Sequence, residues 1–304
     1  MEFTLKTLTR SLYACLILGL SNQAFASSAL VLQTDFGLKD GAVSEMKGVS
    51  FNVDNQLRIF DLTHEIPAYN IWEASYRLYQ TAAYWPQGTV FVNVVDPGVG
   101  TARKSVVLKT KTGQYFVSPD NGSLGLVAQK FGIESVREID ESVNRLKGSA
   151  GSYTFHGRDV YAYTGARLAA GVITFAEVGP ELPKQVASIP YQKPEVKNDE
   201  LLGNIPILDI QYGNVWSNIN SDLLQQIKVK TGDVLCVQIK QAQQVKYTGK
   251  APYVNSFGDV ADGKPLIYVN SLMNVSIALN MANFSTKYQV YSGPDWSIAI
   301  KRCN

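Results

Sequence analysis

The sequence predicts an α/β fold in which a doubly wound, mostly parallel sheet is followed by a smaller, mostly antiparallel β domain. In the first half of the chain, short apolar runs alternate with longer helical patterns, and each run ends in polar residues that include an aspartate. Beyond about residue 200, short apolar runs continue with only brief helical stretches. We therefore predict an α/β domain at residues 27–190 and a β-rich domain at residues 191–304, joined through the proline-containing segment 183–198.

The first 26 residues have the pattern of a signal peptide. Lys6 and Arg10 precede a short apolar stretch at residues 12–20, and residues 24–26 read Ala-Phe-Ala, as at a signal-peptide cleavage site. The apolar stretch is too short to cross a bilayer. The sequence therefore predicts cleavage after Ala26 and a periplasmic or secreted protein that has no membrane attachment once the signal is removed.

Strands and helices alternate at the start of the predicted α/β domain. The expected strands are residues 29–33, 57–61 and 89–95, with helices between them at residues 40–53 and 70–84. The third run is almost entirely apolar, as in a strand buried on both faces of a parallel sheet. Asp96, Pro97 and Gly98 follow it directly. Because ligands bind beyond the carboxyl ends of such strands, this turn is a candidate site, although Asp-Pro-Gly also forms ordinary turns.

A hairpin and a second candidate loop come next. Two short strands are expected at residues 105–109 and 114–117, followed by a helix near 124–131 and a strand near 135–139. The loop 151–159 then brings His156 to the start of a helix that includes residues 161–170. Taken by itself, His156 could cap that helix or take part in chemistry. The other histidine, His64, we interpret as a structural residue that orders the loop before Pro67.

The second domain is expected to consist mainly of antiparallel strands. Candidate strands are residues 205–210, 234–239, 244–247, 266–269 and 297–301, with brief helices near 223–227 and 275–282. Cys236 lies in a predicted strand, and Cys303 is the penultimate residue. These cysteines remain after signal cleavage, and an exported protein folds in an oxidising compartment, so we predict that they form a disulfide.

The composition disfavours several classes of function. With 28 basic and 26 acidic residues the formal net charge is +2, and no run of like charge occurs, so nucleic acid and anionic membranes are not expected partners. The chain has neither a C-x-x-C nor an H-E-x-x-H pattern, so we expect no metal site. Arg103 replaces the third glycine of a dinucleotide-binding loop, and residues 121–125 lack the first glycine of a nucleophile elbow.

Seven short motifs occur together in a characteristic order. They are TDFG at 34–37, DLTHEIP at 61–67, VVDPGVGTAR at 94–103, PDNG at 119–122, FHGRD at 155–159, YGNVWSNI at 212–219 and NS at 270–271. This set resembles the S-adenosyl-L-methionine (SAM) hydroxide adenosyltransferases, the adenosine-forming SAM hydrolases related to fluorinating and chlorinating enzymes. The resemblance spans the mature chain. It implies SAM as the substrate, no cofactor, and a homotrimer in which SAM binds between neighbouring subunits.

The resemblance also implies roles for individual residues. Asp96, Arg103 and His156 stand where the hydrolases keep the set that activates water. The implied substrate contacts are Asp35 to the ribose hydroxyls, Tyr69 and Phe155 to the nucleoside, Asp209 to the methionine ammonium, Tyr212 and Asn214 to adenine, and Ser271 to the methionine carboxylate.

The reaction that follows is hydrolysis of SAM to adenosine and L-methionine by attack of water on the ribose 5′ carbon. Methionine leaves a sulfonium as a neutral molecule, so the site must supply an aligned water and a proton acceptor but neither an acid nor a metal. Asp96 and His156 can provide the acceptor. Arg103 as a free cation would repel the sulfonium, so we expect it to pair with Asp96.

Other functions stay open from the sequence. An exported protein could bind an adenosyl ligand without turnover, although binding alone does not need all three proposed catalytic residues. A SAM-dependent halogenase is less favoured, because the halogenating relatives have tyrosine in place of Asp96 and the fluorinating ones serine in place of Gly157. Leu272 and Leu279 stand where the halogenating relatives have arginines, which leaves open how the carboxylate is held. Asp209 could also simply end a strand before a turn.

Overall fold

Seven strands build the sheet of the first domain. The structure, a computed structural model, describes residues 28–303, so the predicted signal peptide lies outside it. The strand order is β2-β1-β3-β5-β4-β6-β7. The bounds are β1 Leu30–Thr34, β2 Ile59–Thr63, β3 Val90–Val94, β4 Ser105–Thr110, β5 Tyr115–Pro119, β6 Ile133–Glu138 and β7 Glu181–Leu182. Strands β2, β1, β3 and β5 pair in parallel, and β4 forms the predicted antiparallel hairpin with β5.

Helices cover both faces of this sheet, which confirms the doubly wound prediction. The helices are α1 Ala42–Val53, α2 Ile71–Thr81, α3 Gly125–Phe131, α4 Glu141–Asn144 and α5 Tyr163–Ala169, the last preceded by a π-helical turn at Gly157–Ala162. Neighbouring residues of β1 point to opposite cores. Leu30 and Leu32 pack with Met46 of α1, whereas Val31 packs with Leu78 of α2. Both faces of the strand are therefore apolar. For this reason the apolar residues at 30–32 follow one another in the sequence without alternating with polar ones.

The second domain contains two antiparallel sheets. One has the order β10-β11-β15-β14 and the other β13-β12-β16-β9-β8. The strands are β8 Glu195–Lys197, β9 Glu200–Asn204, β10 Ile207–Asp209, β11 Asn214–Asn220, β12 Val234–Gln241, β13 Gln244–Pro252, β14 Pro265–Val269, β15 Asn274–Leu279 and β16 Trp296–Arg302, with short helices α6 Asp222–Gln226 and α7 Phe284–Tyr288. Side chains from both sheets share one apolar core.

The helix predicted at residues 275–282 is wrong, because the structure has strand β15 there. This strand lies between β11 and β14, and all of its residues are buried. A strand buried on both faces loses the alternation of apolar and polar residues, so its short apolar run cannot be told from a buried helix. Strands β9 and β11 were not predicted at all.

The segment between β7 and β8 connects the two domains without regular structure, and the predicted boundary at residue 190 lies within it. Tyr191 of this segment packs edge-on against Trp72 of α2, with ring centroids 5.1 Å apart. The Trp72 indole Nε1 donates a hydrogen bond of 2.8 Å to the carbonyl oxygen of Pro206 in the second domain. The α/β domain therefore makes direct contact with the β domain. No helix within residues 28–303 is long and apolar enough to cross a membrane.

A disulfide joins Cys236 to Cys303, which confirms the predicted pairing. Cys236 lies in β12, and Cys303 follows β16, the strand that pairs with β12. The Cα atoms are 5.2 Å apart, and the two cysteines are separated by 67 residues in sequence. A bridge that closes a loop of this length contributes about 2–4 kcal/mol to the free energy of unfolding.

Candidate active site

An ion pair lies directly beyond the carboxyl end of β3. Arg103 Nε donates a 2.9 Å hydrogen bond to Asp96 Oδ1, and Arg103 Nη2 donates to Asp96 Oδ2. The two side chains are only 12% and 5% exposed. Burial alone would lower the pKa of Arg103, but the hydrogen bond to Asp96 raises it above its ordinary value. The guanidinium is therefore charged, and it fixes the carboxylate at a defined position, as expected from the sequence.

His156 lies between two guanidinium groups. Its Nδ1 is 3.1 Å from Arg103 Nη2, and its Nε2 is 3.0 Å from Arg145 Nη2. Burial lowers the pKa of His156, and the two cations lower it further. The carboxylates of Glu141 and Asp96 act in the opposite direction without reversing the shift. The imidazole is therefore neutral at neutral pH, and since only one of its nitrogens can accept, one of the two guanidinium groups donates to it.

Four polar residues that the sequence did not indicate support this arrangement. Arg103 Nη1 donates a 2.9 Å hydrogen bond to Ser105 Oγ, which is 3.1 Å from the hydroxyl of Tyr161. Tyr161 is fully buried, and burial raises its pKa. Arg145 is held by Glu141, at 3.0 Å, one helical turn away. None of the four belongs to a recognisable pattern, because the set is linked to Arg103 and His156 by contacts that depend on the fold.

The first cavity has a volume of about 250 Å³ and opens beside Asp96. All the site residues that the sequence assigned to the first domain line this cavity, except Arg103. Arg103 lies behind Asp96. The lining includes Asp35, Tyr69, Asp96, Phe155 and His156. The Tyr69 amide donates a 2.8 Å hydrogen bond to Asp35 Oδ2, and the ring is 73% exposed. Tyr69 has φ +69°, a left-handed conformation that is costly for this residue type.

Gly157 forms a tightly packed part of the wall of this first cavity. A Cβ atom at this position would lie 3.1 Å from Val94 Cγ1 and 3.2 Å from the rings of both Phe36 and Phe155. These rings pack edge-to-face, with centroids 5.7 Å apart. A larger residue at position 157 would therefore have to displace the aromatic wall.

His64 lies outside the cavity and supports its edge. The ring is buried, with Nδ1 2.9 Å from Thr34 Oγ1 and Nε2 3.0 Å from Asp61 Oδ1. Its backbone carbonyl accepts a 2.8 Å hydrogen bond from the amide of Gly37. These contacts agree with the structural role inferred from the sequence, since they tie the loop after β1 to the loop after β2.

The second cavity, of about 830 Å³, lies in the β domain. All four residues assigned to the second domain line it: Asp209, Tyr212, Asn214 and Ser271. Asn214 Nδ2 donates a 3.1 Å hydrogen bond to Asp209 Oδ2 across the turn from β10 to β11. Gly213 makes this turn possible, because its φ is +69° and a Cβ atom would lie 2.0 Å from Asn283 Oδ1. Asp209 is thus part of a built wall as well as the end of a strand.

Within one chain the two groups of predicted residues line two different cavities. The first cavity is lined by residues before position 158 and the second by residues after position 208, and they have no lining residue in common. A ligand that contacts both Asp96 and Asp209 must therefore bridge two surfaces. Across the described part of the chain, no three His, Cys, Asp or Glu side chains are grouped as metal ligands would be.

The sequence matches two domain families along almost its whole described length. Residues 30–179 match the SAM hydroxide adenosyltransferase N-terminal domain, and residues 203–297 match the corresponding C-terminal domain. The chain belongs to the SAM hydroxide adenosyltransferase family. The resemblance seen in the short motifs is thereby confirmed, and the two matches cover both cavities of this adenosyltransferase family member.

Relatives of this chain include proteins named as hydrolases and as fluorinases. A protein of Methanocaldococcus jannaschii named (R)-S-adenosyl-L-methionine hydrolase is 36% identical over 232 residues, which cover 75% of this chain and 80% of the relative. A hydrolase of the same name from Salinispora tropica is 34% identical, covering 81% of this chain and 88% of the relative. A fluorinase of Actinopolyspora mzabensis is 25% identical, covering 90% and 97%. The crystal structure of a conserved Thermotoga maritima protein, 37% identical, superposes with a TM-score of 0.81 over 90% of this chain and all of that one.

Proposed function

We propose that this protein hydrolyses SAM to adenosine and L-methionine. The observation that carries the proposal is the Asp96 carboxylate, which Arg103 holds at the wall of a cavity that also contains Asp35 and Tyr69. Such a cavity offers a proton acceptor, a carboxylate for ribose hydroxyls and an aromatic surface for the nucleoside. The hydrolases named above are 34% and 36% identical to this chain over the aligned residues.

The proposed step is a displacement by water. The water oxygen forms a bond to the ribose 5′ carbon while the bond from that carbon to sulfur breaks. The bonding electron pair moves to sulfur, so the sulfonium leaves as the neutral thioether of methionine. The proton lost by water goes to Asp96 and then to solvent. A positioned base of this kind contributes about 10²–10⁴-fold to the rate, and orientation of the water contributes more.

In the proposed mechanism Asp96 accepts the proton and His156 positions the reacting groups. Asp96 keeps lone pairs for a water, although both of its oxygens accept hydrogen bonds from Arg103. Burial lowers the pKa of His156, and protonation would also place a third cation between Arg103 and Arg145. The neutral ring can instead hold Arg103, and through it the orientation of the Asp96 carboxylate.

Halogenation is disfavoured by the charge at the same position. A halide that approached the 5′ carbon from this wall would face the negative Asp96 carboxylate. Arg103 would not attract the halide instead, because its charge is already paired with Asp96. The charge of Asp96 supports water as the nucleophile over chloride or fluoride.

We also propose that the protein is a homotrimer with each active site between two subunits. The two cavities of one chain are separate, and each holds only part of the groups that SAM needs. Exposed apolar side chains surround the second cavity, including Ile210, Tyr212 and Met281. Clusters of this kind are usual where a partner surface packs. Pairing the first cavity of one subunit with the second cavity of its neighbour would complete the site and close the ring.

Hydrolysis in water enriched in ¹⁸O tests the reaction. The label is expected on the 5′ hydroxyl of adenosine, because the attacked atom is carbon, and methionine is expected to remain unlabelled. Chromatography coupled to mass spectrometry follows both products. Adenosine without label would contradict attack at the 5′ carbon, and the absence of any turnover by the wild-type protein would favour the ligand-binding alternative.

We further propose that the protein is exported, and that its mature form begins after Ala26. The basic start, the short apolar stretch and the Ala-Phe-Ala sequence support this proposal. The intact mass of protein recovered from the periplasmic or secreted fraction of an expressing cell should equal that of the chain without residues 1–26. Recovery of the uncleaved chain in that fraction would contradict it.

A further inference from the structure

We infer that the site does not require the carboxylate of its substrate and accepts S-adenosyl sulfonium compounds whose side chain ends in an amine alone. This inference rests on the proposed function, and it concerns which substrates the same site takes. It comes from the charges of the two cavities, which contain carboxylates and neutral groups.

The second cavity has one charged side chain in its wall. Among residues 28–303, no lysine or arginine lines it, and Asp209 is the charged group that does. The rest of the wall consists of amides, hydroxyls, aromatic rings and aliphatic groups such as Leu279. Lys264 directly precedes β14 and Lys287 lies in α7, but both are exposed and neither belongs to the lining. An ammonium group thus finds a partner here, whereas a carboxylate finds neutral donors only.

The first cavity adds no cation that could bind a carboxylate. Its charged lining residues within the described chain are Asp35 and Asp96. Arg103 lies behind Asp96, and its donors are already committed to Asp96 and Ser105. His156 is kept neutral by its surroundings. When the two cavities face each other, their combined wall contains the carboxylates of Asp35, Asp96 and Asp209. Arg103 neutralises that of Asp96.

These charges determine how strongly the site binds the carboxylate of SAM compared with its ammonium and sulfonium groups. A buried carboxylate is usually held by an arginine fork, which gives two charge-assisted hydrogen bonds. Here the substrate carboxylate would exchange its hydration for neutral hydrogen bonds, such as one from Ser271, in the field of nearby negative groups. Removing that carboxylate leaves the ammonium and the sulfonium, both of which the site attracts. We therefore expect its removal to change kcat/KM by no more than about tenfold, the range of one neutral hydrogen bond.

The test compares SAM with decarboxylated SAM, the sulfonium that has a 3-aminopropyl chain in place of the amino-acid chain. Adenosine release gives kcat/KM for each compound. Values within about tenfold of each other support the inference, and a loss of more than about 10²-fold for the decarboxylated compound would overturn it. If neither compound is hydrolysed, the proposed function is wrong. In that case, calorimetric titration of both compounds into the wild-type protein gives a Kd for each. Kd values within about tenfold of each other support the inference, and binding of the decarboxylated compound weaker by more than about 10²-fold would overturn it.

A variant pair tests the charge argument directly. Met281 lines the second cavity and is 83% exposed in a single chain, so substitutions there should not disturb the core. Because Met281 also lies in the proposed subunit interface, light scattering must show that each variant keeps the wild-type oligomeric state. Met281→Arg should raise the preference for SAM over decarboxylated SAM by about tenfold, because it supplies the missing cation. Met281→Gln, which has similar length and no charge, is the matched control and should keep the wild-type preference. Equal preferences in the two variants would overturn the explanation by charge.

Discussion

Replacing Asp96 by alanine should lower kcat for SAM hydrolysis by at least about 10²-fold, the smallest effect expected from loss of a positioned base. KM should change little, because Asp35 and the second cavity make the proposed contacts to substrate. Adenosine release measured at saturating SAM gives the effect. Asp96→Asn should be similarly impaired, since the amide keeps an oxygen that can accept from Arg103 but cannot take a proton.

Stability must be measured beside activity, because Asp96 and Arg103 are both largely buried. Removing one partner of such a pair can cost about 3–5 kcal/mol of unfolding free energy. A melting curve shows whether the variant is folded at the assay temperature. Glu138→Gln is the matched control, since Glu138 pairs with Lys104 at the more exposed rim of the same sheet and should retain wild-type turnover. A folded, fully active Asp96→Asn protein would exclude Asp96 as the base.

Coexpression of two impaired chains should restore activity if each site is built from two subunits. Asp96→Ala damages the first cavity, and Asp209→Ala damages the second, so each variant alone should have low kcat/KM. In randomly mixed oligomers about a quarter of the sites combine an intact first cavity with an intact second cavity. Recovery to about a quarter of wild-type kcat/KM is therefore the expected result.

The control for this experiment is a mixture of the two variants after separate expression, which should stay inactive while the subunits do not exchange. A double variant that carries both substitutions on one chain, coexpressed with itself, gives the baseline. Light scattering of the mixed sample should give the mass of a trimer. A folded, mixed oligomer without any recovery would show that one chain forms the whole site.

The α/β domain was the easier part to predict because its central strands are buried on both faces. β1 and β3 therefore appear as continuous apolar runs that end in Asp35 and Asp96, and the rule that ligands bind beyond such strand ends located the first cavity. The same burial misled us in the second domain. β15 is also covered on both sides, so its short apolar run could not be told from that of a buried helix.

The site residues that belong to sequence motifs could be predicted. Those whose roles depend on contacts formed only in the folded chain could not. Asp35, Asp96 and His156 each lie in a short motif, and the structure places them around one cavity. Arg145 lies in no motif, and its contact with the far side of His156 depends on the fold of the intervening loop. The separation of the two cavities also could not be read from residue patterns, since it is a property of the packed domains.

The position of β16 has a consequence for how the protein is made. This strand is the last in the chain, yet it lies between β12 and β9 in the middle of its sheet. During synthesis, the sheet cannot close until β16 has emerged. Until then β12 and β9 present unpaired edges that other chains can join. A nascent chain that stalls before β16 would therefore be prone to aggregation, and it would also lack Cys303, the disulfide partner of Cys236.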